Sequence, residues 1–338
     1  LAAGADRGRL ESLIHDVGRA FTGVGLLWQV EADREALTPE LRTSADGVAW
    51  TPWQVLREEQ DGDRGDASLH HSELALGEGR YVKVRATLSR GEASPPTLQS
   101  LRLVAIDARS GPQAPQAESL SSAAGPAVIS RAGWGANESY MKWDPEYAPV
   151  THVVFHHTDT SNSITDPAAM VRTIYYYHAV TLDWGDIGYN YLIDRQGRIY
   201  EGRAGGDGVI AGHARPYNRG TLGVAILGDY VASDVPAPAV SALVELLAWK
   251  ANLHYIHPLQ SAWLLDRTFP TIMGHRDCNA TDCPGDRAYA LLPQIRNSVF
   301  ERMKAVAPPL VILSPVAGAT LAGASTVTWR AGAAATQV

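Results

Sequence analysis

Between residues 108 and 126 the chain offers almost nothing to bury. From Ser110 to Pro126 it consists mainly of Gly, Pro, Ala, Ser and Gln, the make-up of a linker and not of a packed element. A single hydrophobic core cannot run through such a stretch, so the chain on either side must fold as separate regions. Its 338 residues agree, being more than one core of ordinary size accommodates. No internal repeat crosses the boundary.

Residues 1–107 read as all-β. The run from Gly25 to Glu31 and the alternating segment from Tyr81 to Thr87 have the period-two character of half-buried strands, and Leu101 to Ile106 is a closing strand of the same kind. Asp46-Gly47, between Thr43 and Trp50, signals a hairpin turn. Short strands with turn punctuation and no helical pattern predict a β-sandwich. Trp28, Trp50 and Trp53 suit either its core or a sugar-stacking surface.

Residues 127–306 alternate strand-like runs with helical patterns, predicting an α/β region with a central mixed sheet flanked by helices. Val153-Val154-Phe155 is a short buried strand that delivers His156 and His157 at its end. Asp166-Pro167 starts a helix, a capping carboxylate followed by proline at the first helical position, with Met170, Ile174 and Tyr177 on one face. Tyr175, Tyr176 and Tyr177 could stack on sugar, although an aromatic stripe on a helix is more often core. Tyr191 to Ile199 reads as a hairpin turning at Gln196-Gly197, and Leu222 to Leu227 as a central apolar strand. Val240, Leu243, Val244 and Leu247 keep the rhythm of an amphipathic helix, and a last helix starts near Pro293 with Ile295, Val299 and Met303 inward. Residues 307–338 carry two strand-like pieces and read as the start of a truncated immunoglobulin-like module.

The formal net charge of −7 argues against a nucleic-acid partner, which needs a basic face to neutralise phosphates. No run approaches the ~20 apolar residues of a membrane-spanning helix. The chain opens on Leu1, which reads as processing, trimming or a fragment, and no signal peptide is visible.

Two cysteines, Cys278 and Cys283, rule out a disulfide framework. They lie in the polar loop from Gly274 to Gly285, together with His275. A catalytic zinc takes three protein ligands and keeps a fourth position for water. His275 and Cys283 could supply two from one loop, with His156 or His157 the third from a strand end. Spacing alone leaves equal room for packed histidines and small buried thiols.

Around these residues the chain resembles the peptidoglycan recognition protein and type 2 N-acetylmuramoyl-L-alanine amidase family. The resemblance is carried, in family order, by Ile129-Ser130-Arg131-Ala132-Gly133-Trp134-Gly135, Phe155-His156-His157-Thr158 and Asp186-Ile187-Gly188-Tyr189-Asn190-Tyr191. It continues through Gly197-Arg198-Ile199-Tyr200-Glu201-Gly202-Arg203, Gly212-His213-Ala214, Tyr217-Asn218, Leu222-Gly223-Val224 and the loop from His275 to Gly285.

By position the family's zinc ligands fall on His156, His275 and Cys283, implying one Zn2+ per chain. Non-hydrolysing recognition members usually carry Ser where this chain has Cys283, so the resemblance implies an enzyme. It would cut the amide between N-acetylmuramic acid and L-alanine of peptidoglycan. Zinc would activate water and polarise the carbonyl. Tyr189 falls on the active-site tyrosine, a donor for the developing oxyanion. Thr281 falls where phage members carry Lys, and implies help with the oxyanion or water. His213 and Asn218 fall on a loop lining the glycopeptide groove, where the resemblance implies either a substrate contact or a structural role in holding that loop. The recycling branch has a catalytic Glu where this chain has Ala225, so proton handling is left to the activated water and Tyr189. The internal disulfide of animal members is missing, since no cysteine precedes Cys278. Cys278 is read as a bystander, because a Cys278–Cys283 bond would consume a ligand. His152 and His157 are read as packed histidines.

Residues 1–107 resemble, more weakly, β-sandwich modules of bacterial surface hydrolases, which suggests a carbohydrate or cell-wall ligand there. The implied substrate places the protein outside the cytoplasm, secreted or at the cell surface. A muropeptide-binding protein that does not cut is the competing reading, and a redox or structural-zinc protein using both cysteines is a third.

Overall fold

A computed structural model describes residues 7–31, 36–59, 69–89, 97–112, 125–306, 311–314 and 328–330. Most of the expected linker and of the C-terminal module lies outside the described residues.

The N-terminal region is β throughout its described part: β1 (Arg7–Glu11), β2 (His15–Glu31), β3 (Leu37–Ser44), β4 (Gln54–Val55), β5 (Leu69–His71), β6 (Ala75–Ser89) and β7 (Thr97–Ile106). Where two packed sheets were expected, hydrogen bonds join all seven strands in one antiparallel sheet. Long β2 pairs with β5, β6 and β7 along its length, and β6 also takes β1 and β3. Alternation puts Val82, Val84 and Ala86 on the inner face with Phe21, Val24, Leu26 and Trp28. The three tryptophans are occupied. Trp28 is buried and stacks on His70, Trp50 has the Arg42 guanidinium 5.1 Å from its ring, and Trp53 is covered by Arg42 and Arg85. Asp46 makes the expected turn, its carboxylate accepting the Val48 and Ala49 N–H groups.

The second region is α/β. Its strands are β8 (Val128–Ile129), β9 (His152–His157), β10 (Tyr191–Ile193), β11 (Ile199–Glu201), β12 (Thr221–Ile226), β13 (Ser261–Leu264), β14 (Arg267–Pro270) and β15 (Ile272–Gly274). Its helices are α1 (Arg131–Trp134), α2 (Pro167–Tyr176), α3 (Ala237–Leu253), α4 (Asp286–Ala290) and α5 (Leu292–Val306). Six strands form a mixed sheet in the order β15-β9-β12-β10-β11-β8, with only the β10–β11 pair antiparallel. One face carries Val153, Phe155, Val224 and Ile226 against Leu243 and Leu247 of α3 and Ile295 and Val299 of α5. The other packs Ile129, Leu192 and Tyr200 against Met170, Val171 and Ile174 of α2.

Two local outcomes bear on the site. Asp166 caps α2 as expected, accepting the Ala169 N–H at 3.0 Å. Tyr177, where a π-helical turn to Thr181 begins, packs apart from the Met170–Ile174 cluster, with Ile106 of the N-terminal region. In the tail, β16 (Val311–Ser314) and β17 (Thr328–Arg330) pair antiparallel.

Candidate metal centre

The parallel strands β9 and β15 lie side by side and both end at the same edge of the sheet. Carboxyl ends of neighbouring parallel strands are where open α/β sheets hold ligands. His156 stands at the end of β9, His275 directly follows β15, and Cys283 returns on the loop before α4. Their ligand-competent atoms all lie within 4.8 Å of one another, and the three residues are 1%, 6% and 9% exposed.

The donor set fits zinc. Nδ1 of His156 lies 3.6 Å from Sγ of Cys283. Two ligands at about 2.1 and 2.3 Å from one tetrahedral ion would stand about 3.6 Å apart. Burial, reinforced by His275 and His213, holds the His156 pKa well below the ordinary histidine value. The ring is therefore neutral at pH 7, the form that binds a metal.

Strand alternation separates the two adjacent histidines. His156 faces the site, whereas His157 turns to the opposite face and accepts the Tyr230 N–H on Nδ1 at 3.2 Å. The backbone N–H of His157 donates to Cys283 Sγ at 3.4 Å, a contact that favours the thiolate. Cys278, like Cys283, is not in a disulfide; it donates to the His275 carbonyl and packs near Met273. His152 is buried and bonded to Thr151 and the Ala262 carbonyl.

A cleft of about 520 Å³ opens beside the triplet, and Tyr189 and Thr281 both line it. The Tyr189 and His156 ring centroids are 5.4 Å apart. Thr281 accepts the Cys283 N–H on Oγ1 at 3.1 Å, which leaves its own O–H as a donor.

His213 and Asn218 make the contacts of the structural alternative. His213 is buried, with Nδ1 3.0 Å from Nε2 of His156 and Nε2 3.3 Å from the Thr221 hydroxyl. Asn218 accepts the backbone N–H groups of His213 and Ala214. Both support His156 from behind, and neither is among the described residues lining the cleft. Room for the His213 ring comes from Gly223 on β12, where a Cβ would lie 2.4 Å from that ring. Ala225, paired with His156 in register, puts a methyl on the same strand.

Sequence reasoning missed His178. It is buried in the π-helical turn and accepts the Gly188 N–H at 2.9 Å, which fixes the residue before Tyr189. Burial, with a smaller effect of Arg203, lowers its pKa to about 3. A lone histidine after three tyrosines carries no spacing signal. Other motif residues form scaffold. Asp186 is buried and accepts from Arg131, Ile187 and Ala204, while Asn190 bridges the Gly223 N–H and the Val209 carbonyl.

Residues 146–286 match the family described as N-acetylmuramoyl-L-alanine amidase. Peptidoglycan recognition protein 1 of Bos taurus is 33% identical over 170 residues, covering 49% of this chain and 83% of its own length. Peptidoglycan-recognition protein SC2 of Drosophila melanogaster is 32% identical over 164 residues, covering 48% and 82%. Among solved structures, wild-type Drosophila PGRP-LB is 30% identical with a TM-score of 0.41, covering 48% of this chain and 90% of its own. With four-fifths of those relatives' length matched in sequence, the chain belongs to the peptidoglycan recognition protein and type 2 amidase family.

Proposed function

We propose that the chain is a zinc-dependent N-acetylmuramoyl-L-alanine amidase, with His156, His275 and Cys283 as the metal ligands. The observation that carries this reading is the buried His–His–Cys triplet, whose 3.6 Å His156–Cys283 separation suits one tetrahedral ion, set at the edge of an open cleft. When bound, zinc supplies a Lewis acid that activates water and polarises the scissile carbonyl.

The chain's own groups do the rest. His213 and the His157 backbone N–H orient His156 and Cys283. Tyr189 directs its hydroxyl at the oxyanion as a hydrogen-bond donor, and Thr281 adds a second hydroxyl beside the ligand loop. With Ala225 on β12 in place of a carboxylate, these hydroxyls guide the proton of the attacking water toward the leaving amine. Residues 1–107 serve as an accessory β module, 108–126 as linker and 127–306 as the amidase domain. Residues 307–338 begin a further immunoglobulin-like module. Peptidoglycan as substrate puts the protein outside the cytoplasm, and among the described residues no helix is long and apolar enough to cross a membrane.

The names of the cow and fruit-fly relatives favour a second reading, in which muropeptide is bound and left intact. Purified cell wall incubated with the protein, with and without a chelator, separates the two. Chelator-sensitive release of N-terminal L-alanine is expected. Activity that survives in Cys283→Ser with no bound metal would sink the zinc mechanism.

A further inference from the structure

The N-terminal strands are fixed against the candidate metal centre. β2 meets the α2 segment through two positions without side chains. A Cβ on Gly23 would lie 2.6 Å from the Thr173 methyl, and one on Gly25 would lie 2.6 Å from the Tyr177 ring. Tyr177 is fully buried there and donates its hydroxyl to the Ser72 carbonyl at 2.5 Å. The Thr22 and Thr173 hydroxyls are 2.6 Å apart, and Arg172 Nε donates to the Ala108 carbonyl at 2.8 Å. Leu76 shares a core cluster with Met170 and Ile174. Pulling these surfaces apart would break these hydrogen bonds and expose the apolar contacts of Leu76 and Tyr177 to water.

This joint holds a second wall over the cleft. Pro39, Val55, Arg57, Glu59 and Glu73 line the side across from Tyr189, Thr281 and the triplet. Arg57 is anchored at its backbone: the neighbouring Leu56 is buried and donates to the Pro39 carbonyl, and the Arg57 carbonyl accepts the Glu73 N–H at 2.8 Å. Its side chain reaches across to Asp282, the residue before Cys283, at 2.5 Å. Both partners are about half exposed, at 46% and 59%. A carboxylate entering the cleft can therefore compete with Asp282 for the guanidinium. Among the described lining residues Arg57 is the one arginine or lysine.

We propose that peptidoglycan is held between the two regions, and that Arg57 binds a carboxylate of its stem peptide. The proposal rests on the peptidoglycan reading above. The planar guanidinium fork suits a carboxylate, of which the stem peptide carries several and a neutral sugar none. Sugars are commonly met by exposed aromatic faces, and the aromatic residue of this wall, Trp28, is buried and stacked on His70. The wall therefore meets peptide, and the N-terminal region is part of the substrate site instead of a separate sugar anchor.

The test uses the full chain and two probes, a muramoyl tripeptide with free carboxylates and the same molecule with them amidated. Arg57→Ala should raise KM for the free acid about tenfold, leave kcat within about twofold, and leave the amidated probe unchanged. Arg57→Lys should recover part of the loss. Asp282→Asn breaks the same ion pair but keeps the guanidinium, and should not raise KM. Equal losses on both probes, no loss in Arg57→Ala, or a kcat defect shared with Asp282→Asn overturns the proposal. Calorimetric Kd values for the two probes separate it from the amidase reading. Arg57-dependent binding without hydrolysis removes the amidase reading alone, and hydrolysis indifferent to Arg57 removes this one alone.

Discussion

At the scale of single residues, the two adjacent histidines show what a sequence can and cannot fix. Alternation along β9 guarantees that His156 and His157 face opposite ways, but which joins His275 and Cys283 depends on what packs on each side of the sheet. One loop offered His275 and Cys283 together, the family resemblance singled them out, and the structure brings them within reach of His156. His213 was legible by position only, and its contact with His156 was not, because that ring lies 57 residues away in sequence. A second imidazole that orients a ligand typically sets metal affinity within 10- to 100-fold. His213→Ala should therefore weaken zinc binding by about that factor, measured by competition with a chromogenic chelator. Unchanged affinity would show that the His156–His213 contact supports nothing.

At the scale of elements, β12 carries more of the site than its apolar sequence suggests. Every residue from Thr221 to Ile226 is buried, so the segment reads as plain sheet interior. Yet Gly223 is the position that admits the His213 ring, and Ala225 lies in register with His156. A methyl at position 223 would meet that ring at 2.4 Å, inside any tolerable contact. Gly223→Ala should lower stability by about 1–3 kcal/mol, the usual cost of overpacking, and should reduce metal affinity through displaced His213. A denaturant midpoint and a zinc titration matching those of the parent would contradict this account of the strand. By comparison, the start of α2 was plain from Asp166-Pro167, since capping is local chemistry. The π-helical turn that follows was not, because the partner of its first residue, the Ser72 carbonyl bonded by Tyr177, lies on another region of the chain.

At the scale of the whole molecule, the compositional break near residue 110 predicts two independent regions, and the joint between them has no local signature. Gly23 and Gly25 look like ordinary interruptions of a strand until α2 is seen against them. Because Leu76 and Ile106 complete apolar clusters of the second region, the two regions should melt together. Gly25→Val, which drives a branched side chain into the Tyr177 ring, should split calorimetric unfolding into two transitions. A single unshifted peak would mean that the contact contributes little.

The same burial sets the acid response of the molecule. His156, His178 and His213 are each held below the ordinary histidine pKa, chiefly by desolvation. His178 shows the sign most simply, since it lies outside the ligand triplet. Its folded pKa is about 3, against about 6.5 for an unfolded chain. As pH falls below the unfolded value, the unfolded chain takes up a proton that the native chain refuses. Stability is therefore complete above that value and drains away until the folded pKa is reached. One such group is worth at most about 1.4 kcal/mol per pH unit in that window, or about 2.5 kcal/mol between pH 6 and pH 4. Urea midpoints of the metal-free chain should fall across this range. His178→Gln should flatten the slope by close to one proton while weakening the Gly188 contact beside Tyr189. If the slope is the same in parent and variant, His178 is not neutral in the folded protein, and the turn that carries Tyr189 is held by a different charge state from the one its burial demands.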